Sequence, residues 1–579
     1  MAPSTARVHF SWWPHAHHAV YACCLAVLVL SALLIGRNVT LWFDEATYFV
    51  NIRDARWDQL FGLLPFYDQA APVGYSAILK IMQAVFGLNE ILLRLPSFVA
   101  LALIGVVASQ FPGISKLERA LFCILLLSSS TLFQYSAYMK HYVWEFFFII
   151  LVMSQNIPES PVYRRPLLRV SCLFIAIICS VQAALTLAAL GLTVALREIG
   201  PLLWNWRSWA AGGERTALWR KRIHDGFVML LPLILGSIVE IVKYVLVARE
   251  ATTIVVENYK YTFDFGYAYQ EGYLEFYTAS IYNIIRFNFG ESELSAFLFL
   301  SMFLVGMAYA IYRRRKEAST FALLIVIALL LNAAGFYPLL PGRYSLALVL
   351  SLSFFMALGV AALAEPLGPG VKLIAAAAFA IVCTVTPIEV TMLHQGQQAR
   401  QLLAEVRSQL DGKMPQPRAI LLTLGSQPLV DAYLGPFGDP AACHNSSPKV
   451  LGWTNRCSQL RQRGKDYAFV GSHTPWFIMN YIAHVSFGKG VRDVEASTVR
   501  TWTADYIDFL FRQACTVPSA TIAISHLTRS FARAIDERFM AGGTVEKEID
   551  ENRRGEEGMG DGIVLRWRRA TDGAGGCNS

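Results

Sequence analysis

Apolar runs long enough to cross a lipid bilayer recur through the first two thirds of this chain, and they restrict its fold to one class. A hydrocarbon core ~30 Å thick offers no water to unpaired backbone groups, so a run of about 18 apolar residues must cross it as a helix. Such runs occupy 19–35, 91–107, 121–132, 143–153, 173–196, 227–247, 294–311, 321–336, 344–364 and 371–385. Those at 121–132 and 143–153 reach full length only with their polar ends, and 173–196 reads as two short helices broken near Gln182. The expectation is an α-helical polytopic membrane protein with about eleven transmembrane helices. Only 16% of the residues are charged, against about a quarter in soluble domains. The first run reads as a span rather than a cleaved signal, because no small-x-small site follows Ile35.

Basic residues orient the spans. Arg164, Arg165 and Arg169 form one block; Arg197, Arg207, Arg215, Arg220, Lys221 and Arg222 a second; Arg313, Arg314, Arg315 and Lys316 a third. Lys and Arg concentrate in this way in cytoplasmic loops. That explains the net charge of +8 without a nucleic-acid partner. With these blocks inside, 38–77, the "YMKHY" turn, 249–293, "YPLLPGRY" and the chain beyond 390 lie outside.

Residues 1–389 thus form a polytopic domain with outer loops 38–77 and 249–293, and 390–579 a soluble domain on the outer face with a disordered end. In the tail, "RAILLTLG", "YAFVGS" and "GIVLRWR" read as strands, and "TPWFIMNYIAHV" and "TADYIDFLFRQA" as amphipathic helices, a small α/β module. Cys443 and Cys457 lie where a disulfide is permitted. Most of the ten cysteines fall within spans and read as small hydrophobes.

Chemistry concentrates just after the first span, in "LWFDEATYFV". Asp44 and Glu45 fall at the outer interface, where a partly desolvated carboxylate has a raised pKa suited to general-base work. The plainer alternative is an acidic pair ending a helix in solvent. The same loop continues through Asp68, Gln69 and a proline-bearing "QAAPVG" to "GLNEILLRLPS".

These motifs, "LWFDEA", "DQAAP" and "GLNEILLRLPS", closely resemble the GT-C superfamily of membrane glycosyltransferases. Its members include protein O-mannosyltransferases, aminoarabinose transferases of lipid A and galacturonosyltransferases of lipopolysaccharide core. The resemblance is strongest over 40–100, extends to about 350, and leaves out the tail. It implies inverting transfer of a sugar from a polyprenyl phosphate to an acceptor on lipid, glycan or protein, at the outer face of a bacterial inner membrane. The family's base falls on Asp44, with Glu45 its neighbour and Asp68 and Gln69 in the same loop.

A second family feature matches "YSAYMKHYVWEFFF", where Lys140 and His141 would face the donor phosphate, Tyr142 would pack on it, and Glu145 would lie slightly within the span. A third matches "YPLLPGRYSLAL", making Arg343, beside Tyr344, a phosphate ligand. The plainer readings are a Glu145–Lys140 pair and an Arg343 snorkelling to the interface. Where other members carry an acid before the lysine this chain has Tyr138, so a divalent cation is a cofactor the resemblance leaves open. Glu240 and Lys243 read as a structural pair one helical turn apart. The aromatic-acidic loop with Glu257, Asp264, Glu271 and Glu275 suits either sugar stacking or rest at the interface. The alternatives to a transferase are a flippase for a lipid-linked saccharide and a glycan-binding relative without catalysis.

Overall fold

The computed structural model describes residues 16–37, 41, 43–61, 64, 71–156, 160, 165–180, 183–194, 196, 234–235, 238, 273–290, 292–334, 337, 339–393, 400–410, 419–422, 429, 432–433, 459–462, 465–470, 507–508, 510–512, 514–515, 518–524, 529–550 and 563–569. Contacts divide the chain into two compact units. One holds Met1–Gly36, Arg94–Ile241 and Tyr267–Leu393; the other holds Arg37–Leu93, Val242–Gly266 and His394–Ser579.

The first unit is helical. Its described helices are α1 (Ala16–Gly36), most of α4 (Glu90–Ser109), α5 (Lys116–Ser128), α6 (Ser130–Ser136), α7 (Tyr142–Asn156), α8 (Pro166–Cys179), α9 (Ala183–Val194), α10 (Tyr273–Phe289), α11 (Glu293–Tyr312), α12 (Lys316–Ala333), α13 (Leu346–Ala364) and α14 (Pro369–Leu393). Among the described residues six helices are long and apolar enough to cross a membrane, and α5 with α6, bent by 60° at Ser129, make a seventh if counted as one span. That is fewer than the sequence suggests, because α7, α8 and α9 are short and the run at 227–247 lies almost wholly outside the described residues. The break expected near Gln182 falls between α8 and α9.

Helix α13 is the buried axis of this unit, sheathed on almost every side from Leu346 to Val360. It approaches α11 backbone to backbone. A Cβ added to Gly306 would fall 1.7 Å from the Phe355 carbonyl oxygen, and one on Gly359 would fall 2.0 Å from that of Met302. Without a hydrophobic force between helices in lipid, such small-residue contacts provide the packing. At the α5–α6 bend, the buried Asn288 side-chain oxygen accepts from the Ser129 hydroxyl at 2.8 Å and lies 3.4 Å from the Thr131 amide. A bent helix in a dry interior needs partners for the backbone groups it exposes.

The two ends of this unit differ. At one end Arg315 reaches Glu118 at 2.7 Å, Glu317 at 3.1 Å and the Gly113 carbonyl at 3.2 Å, while Arg313 pairs with Glu365 at 2.7 Å. Ser115 and Glu118 form a capping box that starts α5. The turns following α4, α11 and α13 therefore share a basic end. The turns following α6 and α12 share the other, as the bond from Arg343 to Tyr142 establishes.

In the second unit, α2 (Phe43–Asp54) and α3 (Val73–Phe86) of the first loop pack together, and the tail contributes α15 (Arg400–Leu410) and α16 (Arg529–Met540). A four-stranded sheet runs in the order β1 (Ala419–Leu422), β4 (Ser519–Ile524), β6 (Ile563–Arg569), β5 (Gly543–Asp550). β1 pairs with β4 in parallel, and the other two pairings are antiparallel. β2 (Gln459–Gln462) and β3 (Lys465–Val470) make a separate antiparallel pair. The expected strands appear as β1, β3 and β6, while β4, β5 and α16 were not anticipated. Trp567 anchors this core, donating to the Phe539 carbonyl at 3.0 Å and packing edge-on to Phe511 and Phe539.

Candidate functional site

In the helical unit, a cluster of cations and phenols gathers at the end away from Arg315. Its position starts in the sequence "LLPGRY". Pro341 sets φ at −61° and Gly342 takes φ +82°, which a side chain would strain, so the chain turns tightly before Arg343. The Arg343 guanidinium donates to the Tyr142 hydroxyl at 2.8 Å and to the Tyr344 hydroxyl at 2.9 Å. It also lies over both rings, 5.6 Å and 5.0 Å from their centroids. Tyr142 is braced edge-on by Tyr135 at 4.7 Å, which in turn meets Tyr138 at 5.9 Å.

Lys140 and His141 precede α7 and are buried, as is Glu145 in its first turn. The Lys140 carbonyl accepts from Ser97 of α4 at 3.0 Å, fixing the turn to a neighbouring helix. His141 Nε2 lies 3.2 Å from Glu145 Oε1, and the His141 ring lies 4.4 Å from that of Tyr142. Spacing i to i+4 makes His141 a partner of Glu145. Tyr337 is a member that the sequence reading passed over. Burial, and then the Glu145 carboxylate, push its phenol above the usual range. Its position six residues before Arg343, in the same quoted motif, is the signal that could have found it.

Asp44 and Glu45 lie in the other unit, in the first turn of α2. Negative charge is stabilised there by the unpaired amides of a helix N-terminus. Glu45 is wholly buried and Asp44 half-buried, and the Asp44 carbonyl accepts from the Thr47 hydroxyl at 2.9 Å. Helix α3 grips α2 from one side. Tyr48 stacks on Tyr75 at 6.1 Å and exchanges a hydroxyl bond of 2.8 Å with Ser76. Lys80 Nζ donates to the carbonyls of Ile52 and Arg53, at 2.6 and 3.2 Å, at the C-terminal end of α2. A cation on those last carbonyls complements the helix dipole. Burial lowers the Lys80 pKa, with Asp54 opposing.

Asp68, Gln69, Glu240, Lys243, Glu257, Asp264, Glu271, Cys443 and Cys457 lie outside the described residues. The second half of the aromatic-acidic loop, with Glu275, is helix α10, whose Ile284, Ile285 and Asn288 are buried in the helical unit. In the tail, Cys515 is disulfide-bonded, a cysteine the sequence reading had not singled out. Among the described residues no group of three or more His, Cys, Asp or Glu could hold a metal ion.

No protein-family model matches the chain, and no curated protein matches it. Solved structures do. ArnT from Cupriavidus metallidurans bound to undecaprenyl phosphate is 10% identical, with 94% of this chain and 97% of that one covered at a TM-score of 0.47. The apo state of the same protein is 11% identical over the same shares, at 0.45. The oligosaccharyltransferase of Archaeoglobus fulgidus in its apo form is 13% identical, covering 71% of this chain and 63% of that one, at 0.35.

Proposed function

We propose that this chain is an integral membrane inverting glycosyltransferase that moves a sugar from a polyprenyl-phosphate carrier to an acceptor hydroxyl or amine on the non-cytoplasmic face. The observation that carries the reading is the Arg343 guanidinium held in a fixed direction by two phenol oxygens, beside a buried Lys140 and His141. An arginine fork suits a phosphate, and phenols orient it without neutralising it.

In the reaction, the acceptor oxygen or nitrogen bonds to the anomeric carbon while the bond from that carbon to the phosphate oxygen breaks. The acceptor proton passes to the Asp44 carboxylate. The electron pair leaves with the phosphate, whose charge Arg343 and Lys140 offset. Glu45, Asp68 and Gln69 are assigned to the acceptor side on the strength of the motif they share with Asp44, and Tyr142, Tyr344, His141 and Glu145 to the donor side. The basic end of the helical unit is taken as cytoplasmic by the charge rule. The Cys515 disulfide supports an oxidising compartment for the tail, as in a bacterial periplasm.

A flippase would place ionisable groups near the membrane midplane. Among the described residues, the buried charged side chains Glu45, Glu118, Lys140, Glu145, Arg169 and Glu317 fall in connecting turns or the first turns of helices, and Arg94 lies just past the first turn of α4. That pattern favours chemistry at a face over translocation.

The direct test compares cell-envelope lipids and glycans by mass spectrometry in cells with and without the gene, which identifies sugar and acceptor together. In the resulting assay Asp44→Asn inserts normally but transfers at least about a hundredfold more slowly, the usual worth of a general base. Near-normal transfer by that variant rejects the base assignment.

A further inference from the structure

The tail reaches into the first loop through one dipeptide, Ala432–Tyr433. The Tyr433 hydroxyl accepts from the Leu41 amide at 2.8 Å and donates to Glu90 at 2.7 Å. Leu41 lies three residues before Asp44 and is buried; Glu90 is the first residue of α4. The Ala432 carbonyl accepts from Arg53 in the last turn of α2 at 3.0 Å, and Arg407 of α15 lies 3.5 Å from the Tyr433 carbonyl. One short segment of the tail thus touches the backbone entering α2, the far end of α2, and the helix that closes the loop.

We propose that Tyr433 is a positioning residue for Asp44: its hydroxyl ties the entry of α2 to Glu90, so that the tail fixes the direction in which the Asp44 carboxylate points. This rests on the reading of Asp44 as the base. The physical argument is one of tolerance. A helix first turn takes its direction from the residue that enters it, and Leu41 is held by a bond from a rigid aromatic side chain whose hydroxyl is itself anchored on a carboxylate. A carboxylate displaced by about 1 Å forfeits as much as a hundredfold in rate. The bond also gives Glu90 of "GLNEILLRLPS" a task that the sequence does not disclose.

The experiment uses the full chain in its membrane and the sugar transfer identified by envelope mass spectrometry. Tyr433→Phe keeps the ring and removes only the hydroxyl. The expected result is roughly ten- to hundredfold slower transfer, with the thermal midpoint and the binding of undecaprenyl phosphate to purified protein unchanged. Exchange of the Leu41 amide is expected to become roughly two- to tenfold faster. Glu90→Gln, which keeps an acceptor oxygen, is milder than Glu90→Ala.

The decisive comparison is a double-mutant cycle. In an Asp44→Asn background Tyr433→Phe costs nothing further if it acts through Asp44, and its full cost again if it only stabilises the fold. Full additivity, or normal transfer with unchanged Leu41 exchange, overturns the proposal. If Asp44→Asn alone transfers normally, the base reading has failed; faster Leu41 exchange in Tyr433→Phe then still supports the tie itself, and unchanged exchange overturns it.

Discussion

Arg343 illustrates how much a single side chain here depends on its neighbours. Its charge alone would attract a phosphate, but the two phenol bonds and the two ring faces hold the guanidinium plane still. Lysine keeps the charge and loses the planar fork. Arg343→Lys should therefore weaken binding of a polyprenyl phosphate about tenfold, and Arg343→Ala nearer a hundredfold, as hydrogen bonds to charged groups are worth. Titration calorimetry of the purified protein checks both, and equal affinity in all three proteins would remove Arg343 from the donor site. The motif picked out Arg343, Tyr344, Tyr142 and Lys140 without showing which touch. The pairing of Glu145 with His141 emerged only from the packing, because contacts across a turn depend on how the turn is folded.

At the scale of elements, the contact of α11 with α13 offers the sharpest expectation. Gly306 and Gly359 each leave no room for a Cβ, since the atom in the way is backbone rather than a movable side chain. Gly359→Ala must push the two helices apart, a kind of overpacking that costs about 1–3 kcal/mol. A lower thermal midpoint in detergent, with a further loss for Gly359→Val, is the expected outcome; an unchanged midpoint would mean that the helices approach less closely. The apolar runs marked both helices in the sequence. Nothing in hydropathy marked these two glycines among the forty in the chain, because close approach depends on which helix lies opposite.

For the whole molecule, the alternation of turns between a basic end and a phenol-cation end is a statement about sidedness. Ser292, exposed between α10 and α11, lies at the opposite end of α11 from exposed Arg314. In intact cells Ser292→Cys should react with a membrane-impermeant maleimide, whereas Arg314→Cys should react only after permeabilisation, each against the wild-type background. Labelling of Arg314→Cys in intact cells would reverse the orientation and with it the donor assignment.

The sequence by itself determined the class of the protein, the approximate course of its spans and which loops carry basic charge. Backbone groups in hydrocarbon must bond within their own helix, and charge cannot hide there, so composition along the chain is enough to read them. It also nominated the acidic pair after the first span. Only the tertiary structure decided that residues 37–93 pack with the tail, that Tyr433 reaches Leu41 and Glu90, and that Arg343 meets Tyr142 from 201 residues away. Those pairings join segments distant in the chain through side-chain hydroxyls, and a hydroxyl's partner is set by where packing brings it, not by its place in a pattern.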